Sequence, residues 1–295
     1  MARDIVCIGS VLWDVIGRAS AVMRVGSDVP GRITRLPGGV AMNIAMTLKA
    51  FQMRPILLTA IGRDAEGEEL LGECRRLGLE TSHVYRSDDL PTDTYMAVEG
   101  ANGLIAAIAD AHSLEAAGAK ILRPLTEGPL GSAAAPYPGQ IVLDGNLTKS
   151  LLAEISAHPA FAASDLRIAP ASPGKVERLR PLLNAPNATF YVNKEEAGLL
   201  CQEDFGDAEH AAHALREIGA ARVLVTDGGG LAAESGPDGV FTATPPQVLV
   251  TRVTGPGDTF MAAHIAAEAA GAAPQVALER GQRAAAAYVS GDVPS

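Results

Sequence analysis

Residues 188–228 read ATFYVNKEEAGLLCQEDFGDAEHAAHALREIGAARVLVTDG. Two short apolar runs, ATFYVN (188–193) and RVLVTDG (222–228), bracket a stretch in which His210 and His213 stand at helical spacing. A run that is continuously apolar rather than alternating reads as a strand covered on both faces, and a helix between two such runs supplies the crossover that parallel strands need. The same runs recur elsewhere: IVCIGS (5–10), PILLTAIG (55–62), QIVLDG (140–145) and LRIAPAS (166–172). The pattern predicts an α/β protein with a doubly wound, mainly parallel sheet flanked by helices. The clearest helix is 41–51, where Ala41, Ile44, Ala45 and Leu48 form one apolar stripe, and a second, apolar on most sides, is predicted over 259–270.

Composition agrees with this reading and narrows the function. The 295 residues are 47% hydrophobic and 4% aromatic, enough for a full core and too poor in aromatics for an all-β sandwich. A net charge of −10 without a Lys/Arg cluster excludes a nucleic-acid polymer as partner, because binding a phosphate backbone needs a concentrated cationic face. No stretch approaches eighteen apolar residues, and MARDIVCIGS has too short an apolar run for a signal peptide, so no membrane partner and a cytoplasmic location are expected. Cys7, Cys74 and Cys201 are too far apart for a close metal or redox pair and suit reduced thiols.

Two segments break the strand–helix rhythm, 15–37 and 91–111. In the second, TYMAVEG and LIAAIAD flank Ala101-Asn102-Gly103, and an Asn-Gly pair supplies the positive φ angles of a tight hairpin turn. We expect these segments to form one small β lid over the carboxyl ends of the core strands, with 1–14, 38–90 and 112–295 making the core. The Ala/Pro/Gly-rich 127–139 reads as a surface loop.

Four stretches carry candidate chemistry. In Thr254-Gly-Pro-Gly-Asp-Thr-Phe260 small residues lead into a helix, an arrangement whose amides and dipole hold anions; Asp258 there reads as either a helix N-cap or a base beside the anion site. In Gly38-Gly39-Val-Ala-Met-Asn43 glycines again lead into a helix, and Asn43 either bonds a ligand hydroxyl or faces solvent. Asp14, just past the first strand, stands where ligand-reading carboxylates occur. Asn193 and Glu196 are either a capping box or a site for hydrated Mg²⁺, and VLVTDGGG (223–230) is either a floor for a nucleotide or a plain strand-to-turn junction. The G-x-G-x-x-G dinucleotide fingerprint is absent at the first strand–helix turn, and 26–33 lacks the Lys and Ser/Thr of a P-loop. The six histidines offer no third partner for His210 and His213.

In their order and spacing, Asp14, GGVAMN (38–43), Asn193-x-x-Glu196, VTDGGG and TGPGDTF (254–260) resemble the ribokinase-like (pfkB-type) family of carbohydrate and nucleoside kinases along nearly the whole chain. The resemblance implies the α/β core with a β lid and transfer of the γ-phosphoryl of ATP to a sugar hydroxyl. It makes Asp258 the base and the amides of Gly255, Gly257 and Asp258 the anion hole. It also implies acceptor contacts at Asp14, Gly38, Gly39, Asn43 and Thr94, nucleotide contacts at Asn193, Thr226, Gly228, Gly230 and Thr254, Mg²⁺ at Glu196 through water, and a homodimer through the lid. Within the family, GGVAMNIA, Thr92-Asp-Thr94-Tyr95-Met-Ala-Val, LIAAIAD and LDGNL (143–147) are similar to the pseudouridine kinases, which implies a ribose 5′-hydroxyl as acceptor. Another nucleoside or sugar kinase, and a non-catalytic nucleoside- or sugar-binding protein, are the alternatives.

Three positions depart from the pattern. Arg252-Val253 replaces the Asp-Thr that helps hold a monovalent cation, so loss of K⁺ activation is expected; Met42 replaces an Arg common in pseudouridine kinases; and TDGGG is one residue shorter than the usual T-x-G-x-x-G, which shifts the adenine-side contacts.

Overall fold

The computed structural model describes residues 3–250 and 255–291. Its strands are β1 (Asp4–Ile8), β2 (Leu12–Arg18), β3 (Arg32–Gly38), β4 (Arg54–Leu58), β5 (Ala60–Gly62), β6 (Tyr85–Ser87), β7 (Thr94–Gly100), β8 (Gly103–Asp110), β9 (Gln140–Asp144), β10 (Asp165–Ala169), β11 (Ala188–Asn193), β12 (Arg222–Thr226), β13 (Ala232–Gly236) and β14 (Gly239–Ala243). The α-helices are α1 (Val40–Ala50), α2 (Ala65–Arg76), α3 (His112–Ala117), α4 (Arg123–Thr126), α5 (Lys149–Ala157), α6 (Lys194–Cys201), α7 (Ala208–Glu217), α8 (Pro256–Ala269) and α9 (Pro274–Ser290).

The large sheet runs β14-β13-β12-β11-β10-β9-β1-β4. The six strands from β12 to β4 are parallel, and β13 and β14 extend the sheet antiparallel at one edge. Each of the six apolar runs therefore lies in this sheet, apolar on both faces because both are covered. Val6, Ile8, Ile141, Leu143, Phe190 and Val223 pack under α3, α5, α6 and α7. Ile5, Cys7, Val142, Tyr191 and Leu224 pack under α1, α2, α8 and α9. The run 55–62 divides at Thr59: β4 stays beside β1, and β5 leaves to pair with β6.

A second sheet, β3-β2-β7-β8, is built from the segments that broke the rhythm. The hairpin turn closes with Gly100 opposite Gly103, and Gly103 adopts φ 92°. Among the described residues no helix is long and apolar enough to cross a membrane.

Candidate active site

Parallel strands deliver their carboxyl ends to one edge of the sheet, which is where open α/β sheets bind ligands. Ser10 follows β1, Asp144 ends β9, Asn193 ends β11 and Thr226 ends β12.

Asp258 is the third residue of α8. The N-cap is Gly255 in a left-handed conformation (φ 94°), so the capping reading of Asp258 does not hold and its carboxyl is available for other work. The helical ladder begins with Thr259 N–H donating to the Gly255 carbonyl, which leaves the amides of Gly257 and Asp258 without an intrahelical acceptor; Pro256 has no N–H. The Asn43 amide, one turn into α1, donates to Asp258 Oδ2 at 3.1 Å across 215 residues of chain. Asn43 therefore faces the Asp258 carboxyl rather than solvent. Burial pushes the Asp258 carboxyl up to about 7; the carboxylates of Asp144, Glu196 and Asp14 push the same way, and the Asn43 hydrogen bond opposes them.

Asp14 lies inside β2 of the small sheet rather than at the end of a core strand. A Cβ on Gly38 would come within 2.0 Å of its carboxylate, so only glycine lets the two segments approach this closely. Burial raises the Asp14 carboxyl to about 6. Asp14 pairs with Leu36 and Tyr95, and these three share one face. Thr94 pairs with Trp13 and lies on the opposite face, so the register puts Tyr95, and not Thr94, beside Asp14. Gly39, with φ 96°, is the N-cap of α1. Met42 is fully buried with its sulfur 3.9 Å from the Cys74 thiol, so the residue at this departure from the family pattern lines no ligand surface here.

Asn193 and Glu196 form the capping box: the Asn193 side chain accepts from Glu196 N–H, and Glu196 Oε2 accepts from Asn193 N–H, each at 2.8 Å. Glu196 is buried, which raises its carboxyl to about 7 against that hydrogen bond, with Glu195 adding to the rise. Among the described residues no three His, Cys, Asp or Glu side chains stand together as a direct metal cage. The donor set instead fits Mg²⁺ held through water, since one carboxylate joined by phosphate oxygens and water is the usual arrangement and the acids around Asp258 leave charge to be neutralised.

A cleft of about 550 Å³ opens beside the start of α8, lined by Thr226, Gly228, Gly229, Gly257, Phe260 and Gln282 among others. Gly229 lines it where Gly230 was expected, because the Gly230 amide turns back to the Asp227 carbonyl at 2.7 Å. Gln282 of α9 is buried, and its Nε2 has no partner among the described residues, so it awaits an acceptor. Thr254 and Arg252 lie outside the described residues, as does the expectation for K⁺ that rests on Arg252.

Tyr95, Gln282 and Asp144 escaped the sequence reading. Strand alternation offers Tyr95 as readily as Thr94 until the register is known, and Gln282 is one of two glutamines in α9, with Gln275, so sequence alone does not single it out.

A base, an amide nest and an adjoining cleft are the parts of a phosphoryl-transfer site. A model of the pfkB family of carbohydrate kinases matches residues 2–292, and the chain belongs to that family. It is 28% identical over 268 residues to the pseudouridine kinase of Escherichia coli, covering 88% of this chain and 81% of that protein. A carbohydrate kinase from Agrobacterium tumefaciens superposes with a TM-score of 0.80 at 25% identity, covering 96% of this chain and 90% of that one. Arabidopsis thaliana ribokinase, solved with ribose and ATP, superposes with a TM-score of 0.76 at 19% identity, covering 98% of this chain and 93% of that one.

Proposed function

We propose that this chain is an ATP-dependent nucleoside kinase that phosphorylates the ribose 5′-hydroxyl of pseudouridine. The observation that carries the chemistry is the Asn43–Asp258 contact, which joins the glycine-led helix on the acceptor side to a carboxyl held near neutral pKa. The likeness to the E. coli pseudouridine kinase supports the choice of acceptor.

In this reading Asp14 and Asn43 hold ribose hydroxyls over Gly38 and Gly39, and Tyr95 and Leu36 flank the base. Asp258 accepts the hydroxyl proton as the oxygen attacks the γ-phosphorus, and the bond from that phosphorus to the β–γ bridging oxygen breaks to release ADP. The amides of Gly255, Gly257 and Asp258 receive the charge that develops on the transferring group, in a site whose donors are already oriented. The cleft beneath Thr226 and Gly228 takes the nucleotide, with Gln282 donating to an acceptor on it. Glu196 would hold Mg²⁺ through water, and the ion would supply neutralisation of phosphate charge there.

The small sheet also presents apolar side chains outward. Ile33, Met96 and Ile108 are 77%, 49% and 69% exposed and, by register, share the face opposite Asp14. This surface suits a homodimer through the small sheet, which sedimentation of the chain alone distinguishes from a monomer.

Thermal stabilisation tests the acceptor. With a non-hydrolysable ATP analogue and Mg²⁺, pseudouridine is expected to raise Tm well above uridine, adenosine, inosine, ribose or fructose, since ligand at 100 times its Kd adds about 2.7 kcal/mol. A larger shift with another acceptor would keep the kinase and replace the substrate. Within the site, Tyr95→Ala is expected to raise the acceptor KM about tenfold, a loss of about 1.4 kcal/mol, whereas Thr94→Ala changes it less than about twofold. Equal effects in steady-state assays would refute the register argument.

A further inference from the structure

The mechanism leaves one fully buried carboxyl without a task. Asp144 Oδ2 accepts the N–H of Ser10 at 2.8 Å and of Ala41 at 3.1 Å, and its Oδ1 accepts the N–H of Asn146 at 2.7 Å. The three amides belong to three segments: the turn after β1, the first turn of α1 and the turn after β9. At Gly9 a Cβ would lie 2.3 Å from the Asp144 carboxyl carbon, so the chain gives up a side chain there to admit the carboxyl. The start of α1 needs this visitor. Its N-cap is Gly39, which offers no side-chain acceptor, and its first turn holds no acid. Two residues beyond Ala41, Asn43 reaches Asp258. The Asn146 side chain in turn holds Lys175 Nζ at 2.6 Å, so the same knot fixes a half-buried cation.

We propose that Asp144 is a positioning residue for phosphoryl transfer: it ties the start of α1 to the ends of β1 and β9 and so aims Asn43 at Asp258. The proposal rests on the reading of Asp258 as the base. The charge of Asp144 contributes as well. Asp258 is faced by Asp144 from β9, Glu196 from α6, Asp14 from β2 and the neutral Asn43 from α1, and among the three carboxylates Asp144 has the largest effect in keeping Asp258 basic. Asp144 itself is faced by the Cys7 thiol of β1 and by Lys175. Its burial pushes its own carboxyl up, and the three N–H donors favour its charged form.

The test compares Asp144→Asn with Asp144→Glu, each checked for folding by circular dichroism. For Asp144→Asn, kcat is expected to fall at least about tenfold with the ATP KM within about twofold, and the acid limb of the kcat/KM profile to move to lower pH. Asp144→Glu retains the charge and is expected to lose kcat while keeping the limb in place. A wild-type kcat or an unmoved limb in Asp144→Asn would overturn the proposal, and so would failure of both variants to fold, which would make Asp144 a determinant of the fold alone. Full turnover in Asp258→Asn removes the base and this proposal with it, so the two failures are told apart.

Discussion

Asp258→Asn is expected to lower kcat by at least about a hundredfold while leaving acceptor and donor affinity within about twofold, the signature of a lost general base. The substitution preserves shape and an oxygen that can still accept from Asn43, so the site keeps its geometry and loses only proton affinity. The wild-type pH profile follows from the same group. Burial and neighbouring carboxylates raise Asp258 to about 7, and the reaction needs the carboxylate, so kcat/KM falls as pH drops through about 7. The stability sign is opposite. A carboxyl whose folded pKa lies above its unfolded value of about 3.9 favours the protonated folded state, and this contribution is lost as pH rises from about 4 to about 7. At pH 8 Asp258→Asn should therefore melt higher than the wild type while turning over far more slowly. Kinetics and Tm on one preparation check both; unchanged turnover would remove Asp258 from the mechanism.

The second large effect lies at the other end of α8. Glu268 receives Arg167 of β10 and Arg222 of β12, which also engage Asp165 and Glu234. Arg167 donates to the Tyr191 hydroxyl at 2.9 Å, and that hydroxyl stands 2.9 Å from His264 Nδ1. The other ring nitrogen of His264, Nε2, lies 3.4 Å from Glu234 Oε2. Burial would push the Glu268 carboxyl up, but Arg167, His264 and Arg222 overcome it and hold it at about 2. Glu268→Ala strands the buried Arg167 and the partly buried Arg222 with one carboxylate each and is expected to cost about 3 kcal/mol. For a chain of this size that lowers Tm by on the order of 6–10 °C. Because the pKa is depressed, the wild-type contribution is complete above about pH 4.5 and disappears as pH falls toward about 2. Turnover well below Tm should survive, since the anchor is ten residues from Asp258 along the helix. A change in Tm under about 2 °C would show that Asp165 and Glu234 suffice.

The six parallel strands were legible because burial on both faces writes itself into a strand as an unbroken apolar run. The two glycine-led helices were legible because glycine marks a turn that needs a positive φ, which Gly39 and Gly255 both adopt. β13 and β14 were not: AAESG and GVFTA carry no strong strand signal, and their assignment comes from pairing with β12. What sequence could not supply is who meets whom. Ser10 and Asp144 are 134 positions apart, Arg167 and Glu268 are 101 apart, and nothing local at either end names the other. The choice between Thr94 and Tyr95 turned on a one-residue register, which in a strand exchanges one face for the other.

Asp14 and Tyr95 stand on the small sheet, whereas Thr226 ends a strand of the large one and Asp258 and Glu196 stand on the helices α8 and α6. A mutation at Tyr95 reshapes the first group without replacing any residue of the second. Under the proposed function, a lineage with this layout can change its diet one strand at a time, without rebuilding the machinery that handles the phosphate.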